Sequence, residues 1–123
     1  MKIIEAINRI DTLKPNTYSQ AEKVAWLSAL DSLVKTQIID THEGGENVVF
    51  TGYTDETDME TELLIPAPYE EVYLMWLEVQ IDYANREYEK YNNAVLMYKE
   101  SYNDYSNWYN RTHMPKGNSF KYF

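Results

Sequence analysis

The side chains able to do chemistry in this chain are few and scattered. His42 and His113 lie far apart, each at a loop or helix end, and neither has a metal-ligand spacing such as HExxH. Both are therefore expected on the surface. Asp55, Glu56, Asp58, Glu60 and Glu62 crowd one acidic loop, GYTDETDMETE. Such carboxylates could hold Ca²⁺, but the loop lacks the glycine and the spacing of an EF-hand. A solvated loop is the expectation, and no metal or cofactor is implied. Asn110-Arg111-Thr112 matches a glycosylation sequon. No secretion leader is read in MKIIEAINRIDTLK, where Glu5 and Asp11 interrupt the apolar run, so the sequon is taken as accidental. There is no Gly-rich phosphate loop, GxSxG elbow or kinase signature. The chain is expected not to be an enzyme.

One group of side chains is conspicuous. YEKYNNAVLMYKESYNDYSNWYNR, residues 88–111, holds six tyrosines and a tryptophan, with neither glycine nor proline. Such rings can stack on nucleobases. Here Glu89, Glu100 and Asp104 alternate with Lys90 and Lys99, which disfavours a phosphate-bearing ligand. Tyrosine buries an apolar ring but keeps a hydroxyl that wants a partner or water. It is favoured at wet protein–protein interfaces. Tyr88, Tyr91, Tyr98, Tyr102, Tyr105 and Tyr109 are therefore expected at a subunit seam. The alternative is a half-exposed helix packed on its own chain.

Bulk composition narrows the partners. With 123 residues the chain is one domain by prior. It has no cysteine, so disulfides and thiolate zinc sites are ruled out. Twenty acidic against eleven basic residues give a formal charge of −9, which disfavours gripping DNA or an anionic membrane surface. No apolar run is long enough to span a bilayer. A protein partner is favoured.

These residues need elements to position them. Residues 2–14 read as a short helix, with Ile3, Ile7 and Ile10 on one face and Pro15-Asn16 as its stop. Ser19-Gln20-Ala21-Glu22 fits a capping box for a second helix running to about Asp40. Residues 41–66 read as a loop, in which Val48-Val49-Phe50 and Leu63-Leu64-Ile65 could pair as a short β-hairpin. Pro68 suits a first helical position. Beyond it runs a stripe: Leu74, Leu77, Ile81, Ala84, Tyr88, Tyr91, Val95, Tyr98, Tyr102, Tyr105 and Tyr109, in alternating steps of three and four. One straight helix of roughly 45 residues would be about 67 Å long. The alternative is a break near Tyr83-Ala84-Asn85-Arg86 into a helical hairpin, and continuity or a mild kink is slightly preferred. One core is expected from Ile3, Ile7, Trp26, Leu30, Val34, Leu74, Leu77 and Ile81. The fold class is thus mainly α: a small helical bundle with a long C-terminal helix and an extended tail. Residues 1–112 form the helical domain. Residues 113–123, HMPKGNSFKYF, are net basic and end in aromatic anchors, so Phe120, Lys121, Tyr122 and Phe123 read either as a disordered end or as a docking peptide.

Three stretches, EAINRIDTLKPNTYSQAEKVAWLSALDSLV, LLIPAPYEEVYLMWLEVQIDYANREYEKYNNAVLMY and WYNRTHMPK, resemble the head–tail connector (adaptor) proteins of long-tailed phages and prophages. The resemblance spans most of the chain, and its motifs are not catalytic signatures. It implies a structural virion protein of the phage neck. It further implies a homo-oligomeric ring of about twelve copies beneath the portal protein, with Phe120, Lys121, Tyr122 and Phe123 docking on the portal or a neighbouring subunit. The ring would meet a head-closure or tail-completion protein and let double-stranded DNA pass without specific binding. The implied location is the virion neck, and host cytoplasm during assembly. The alternative reading is another oligomeric helical assembly or a coiled-coil adaptor protein without enzymatic activity.

Overall fold

Isoleucine spacing in the first turns of the chain does build a helix. The computed structural model, which describes residues 1–116, has four: α1 (Ile3–Leu13), α2 (Gln20–Gln37), α3 (Glu71–Ala84) and α4 (Tyr88–Thr112). Ile3, Ala6, Ile7 and Ile10 form the buried face of α1. Its first-turn amides are satisfied from outside the helix: Ile3 N donates to Thr61 O and Ile4 N to Met59 O, both at 3.0 Å. Ser19 caps α2 by accepting from Glu22 N at 3.1 Å. α2 stops at Gln37, before the expected Asp40, and tightens into a 3₁₀ turn at Ile39–Thr41.

The expected core forms. Ile3, Ile7, Leu30, Val34, Leu74, Leu77 and Ile81 are buried together, and Trp26 packs against them half-buried. Trp26 also accepts, through its carbonyl, the indole N–H of Trp76 at 2.7 Å, which fastens α3 to α2.

The long stripe is not one continuous helix. α3 ends at Ala84, and α4 returns alongside it, so that Trp76 meets Tyr98 and Tyr83 meets Tyr91 at ring separations of 5.1 and 5.4 Å. Arg86 takes a left-handed backbone with φ 60°, a conformation costly for a residue with a Cβ. The turn tolerates it because its amides close back on α3: Asn85 N on Ile81 O, Arg86 N on Tyr83 O and Glu87 N on Asp82 O, at 2.8, 3.0 and 2.9 Å. Tyr18 donates to Asn85 Oδ1 at 2.5 Å. The Lys14 ammonium lies 2.7 Å from the buried carboxylate of Asp82, whose oxygens have no well-aligned hydrogen bond. Tertiary packing along two facing aromatic lines thus outweighs one poor turn residue.

No β-hairpin forms in the middle segment, and among the described residues there is no strand. The backbone of residues 63–65 finds partners elsewhere: Leu63 N on Met1 O, Leu64 N on Asp31 Oδ2 and Ile65 N on the Tyr73 hydroxyl, at 2.9, 3.0 and 2.7 Å. Once helix side chains and the first residue satisfy these groups, a second strand is not needed. α3 starts at Glu71, later than Pro68 suggested, after a turn closed by Tyr69 N on Pro66 O at 2.9 Å. Gly45 opens a second 3₁₀ turn, Gly45–Asn47, directly against Ile39. A Cβ there would lie 2.3 Å from the Ile39 carbonyl oxygen, so only glycine fits.

After α4 the chain does not leave the domain at once. Residues 113–116 run antiparallel to residues 41–43 as a short strap. Glu43 N donates to Met114 O at 2.8 Å and Lys116 N to Thr41 O at 2.9 Å, flanking a His42–Pro115 bridge.

Candidate functional site

The six tyrosines of α4 divide along the helix. α4 is about 37 Å long and α3 about 21 Å, so the second half of α4 overruns α3 and meets other elements. There Tyr105 and Tyr109 are buried in the main core. Tyr105 lies against Tyr69 and Trp108, with ring centres 6.0 Å from each. Tyr109 stacks on His113 at 3.7 Å and meets His42 edge-on at 4.8 Å. This corrects the seam expectation at Tyr105 and Tyr109, whose rings fill the space between α4, the 66–70 segment and the end of α2. Burial drives both phenols to ionise later than an ordinary tyrosine.

Nearer the turn the rings are less enclosed. Tyr102 is half-buried and donates to Gln37 Oε1 at 3.1 Å. Tyr98 is half-buried between Trp76 and Tyr102. Desolvation, then its neighbour Tyr102, pushes the Tyr98 phenol well above the usual range, so it stays neutral. Tyr91 is half-buried and Tyr88 exposed.

Between α3 and α4 lies an open groove of about 340 Å³. Trp76, Val79, Tyr83, Tyr91, Val95 and Tyr98 line it, with Gln80 and Lys99 at its polar margin. The hairpin also exposes Leu96 (66%), Met97 (56%), Tyr83 (61%) and Tyr88 (56%), an unusual concentration of apolar surface for one short stretch. Leu96 and Met97 lie off the stripe, and the stripe-based reading missed them. Their adjacency on an otherwise polar face of α4 was the available signal. This arrangement offers shape and apolar area, with no nucleophile or base at its centre.

Two buried polar centres hold the scaffold behind that surface. Asp31 of α2 is fully buried and accepts from Tyr53 at 2.5 Å, Tyr73 at 2.6 Å and Leu64 N at 3.0 Å. Desolvation raises its pKa, and the hydrogen bonds from Tyr53, Tyr73 and Leu64 N only partly counter this. Tyr53 and Tyr73 are both pushed upward, first by burial and then by the Asp31 charge. His42 is also buried, which corrects the expectation of a surface residue. Its Nδ1 lies 2.6 Å from Ile38 O and its Nε2 2.8 Å from Asn110 Oδ1, so it joins the end of α2 to α4. His113 is half-exposed.

The acidic loop is engaged at one edge. Glu60 pairs with Lys2 at 2.8 Å, and Glu62 bridges to Lys2 through the backbone. Among the described residues, no group of three or more His, Asp or Glu side chains is arranged to hold a metal. No helix among them is long and apolar enough to cross a membrane. Phe120, Lys121, Tyr122 and Phe123 lie outside the described residues. Comparison with family models, curated proteins and solved structures gives no match.

Proposed function

We propose that this chain is a structural, non-enzymatic subunit of a phage neck. Copies join side by side as a ring of about twelve beneath the portal, extending the DNA channel towards a head-closure or tail-completion protein. The observation that carries this reading is the outer surface of the α3–α4 hairpin, with its groove and its exposed Tyr83, Tyr88, Leu96 and Met97. A monomer gains nothing from leaving those side chains in water, whereas a neighbouring copy covers them. Tyr88, Tyr91 and the open edges of Tyr98 and Tyr102 are the seam residues in this reading. The net charge of −9 supports a conduit that does not retain DNA, since like charges repel the phosphates. The basic, aromatic end of the chain docks on the portal or on a neighbouring copy.

The test is direct. Particles purified from cells carrying the gene, imaged by electron cryo-microscopy, should show this chain as a ring between portal and tail. Particles with an intact neck that lack the chain overturn the proposal.

A further inference from the structure

We infer that the groove between α3 and α4 receives the aromatic C-terminal segment of a second copy, residues Phe120–Phe123, joining copies head to tail. This deepens the ring reading by naming which two surfaces meet, and it rests on self-association but not on a neck location.

The groove is built for rings. Its walls are Trp76, Val79, Tyr83, Tyr91, Val95 and Tyr98, and its volume is about 340 Å³. Phe120, Tyr122 and Phe123 supply three rings within four residues, set around one lysine. Net charge draws a basic segment towards the acidic body of another copy, while the charged residue lining the groove itself is Lys99. Residues 117–123 carry one lysine and no acid, whereas all twenty acidic residues lie in residues 1–116.

Geometry decides which copy provides the segment. The strap fixes Lys116 beside Thr41, and His42 fixes that region beside Asn110. Along α4, Asn110 is about 18 Å from Tyr98 and about 28 Å from Tyr91. An extended chain covers at most about 3.3–3.6 Å per residue. From Lys116, Phe120 therefore reaches about 14 Å and Phe123 about 25 Å. The backbone at the chain's own Phe120 thus falls short of Tyr98, a limit that a neighbour's segment does not meet. The groove lies towards the turn of the hairpin, whereas the strap at residues 113–116, from which the segment issues, lies at the far end of α4. Such a heterologous contact closes into a ring where the rotation between copies divides a full turn evenly.

The absence of native cysteine makes the test clean. Full-length chains bearing Lys121→Cys are mixed with full-length chains bearing Gln80→Cys, at the groove margin, under oxidised glutathione. A mixed disulfide should form at least tenfold faster than with Ala25→Cys, an exposed control on α2. Replacing Phe120, Tyr122 and Phe123 by serine on the Lys121→Cys chain should slow it at least tenfold. A single chain carrying both Gln80→Cys and Lys121→Cys should not close on itself at high dilution. Equal rates at Gln80→Cys and Ala25→Cys, insensitivity to the serine changes, or efficient self-closure would each overturn the inference. So would assembled particles in which Lys121→Cys links only to a different protein. If the mixed disulfide forms but the chain is missing from the neck, the ring location fails while this contact stands. If the neck ring is present without the link, only this contact fails.

Discussion

Asp31 is a carboxyl group held without an ion-pair partner among the described residues, by two tyrosine hydroxyls and one amide. Its pKa is raised on folding, so the folded state holds the proton longer than the unfolded chain does. Asp31 therefore contributes most to stability below the ordinary carboxylate range near 3.8, and that contribution falls as pH rises through the raised value. This is opposite in sign to the usual salt-bridged aspartate. Unfolding measured against pH should show the native protein losing ground to Asp31→Asn as pH rises from about 3 to 7. A difference independent of pH would show that Asp31 titrates alike in both states. Tyr73→Phe removes the donor to Asp31 Oδ1 and the acceptor of Ile65 N, leaving those two buried atoms without their partners while Tyr53 and Leu64 N still hold Asp31 Oδ2. It should cost about 1–3 kcal/mol in denaturant unfolding.

At the scale of elements, the helical hairpin has two weak points with opposite signs. Leu77→Ala should cost roughly 2–5 kcal/mol, because Leu77 is fully buried in the core. Arg86→Gly should stabilise by up to about 1 kcal/mol, since glycine accepts a left-handed backbone that arginine does not favour. Thermal unfolding of the two variants reads both effects, and a lower midpoint for Arg86→Gly would mean the Arg86 side chain matters more than its backbone. The same turn explains what could be read in advance. Periodicity reports which residues share a face, so Ile3, Ile7, Leu30, Val34, Leu74, Leu77 and Ile81 were legible as one core. It does not report a reversal that keeps the face in phase. The stripe steps evenly across Asn85-Arg86 because Leu74–Ile81 and Tyr88–Tyr98 are two lines that meet, and neither Gly nor Pro marks the fold-back. Asp31 and His42 were illegible for a related reason. Their partners, Tyr53, Tyr73, Leu64 and Asn110, lie 22 to 68 residues away.

For the whole molecule, folding and assembly should separate by mutation. Leu96→Asp with Met97→Asp places charge on the exposed hairpin surface without touching the core. The double variant should unfold within about 0.5 kcal/mol of the native chain. It should also fail to enter higher-order assemblies by light scattering. Assemblies of unchanged size would show that this surface is not a seam. The strap at residues 113–116 has a mechanical consequence as well. Tension on any segment beyond Lys116 meets two backbone bonds to residues 41–43 before it reaches the end of α4. Force is thus shared between the 41–43 segment that follows α2 and the end of α4, so that the last turn of α4 does not carry it alone. A chain pulled from that end is therefore loaded through its scaffold.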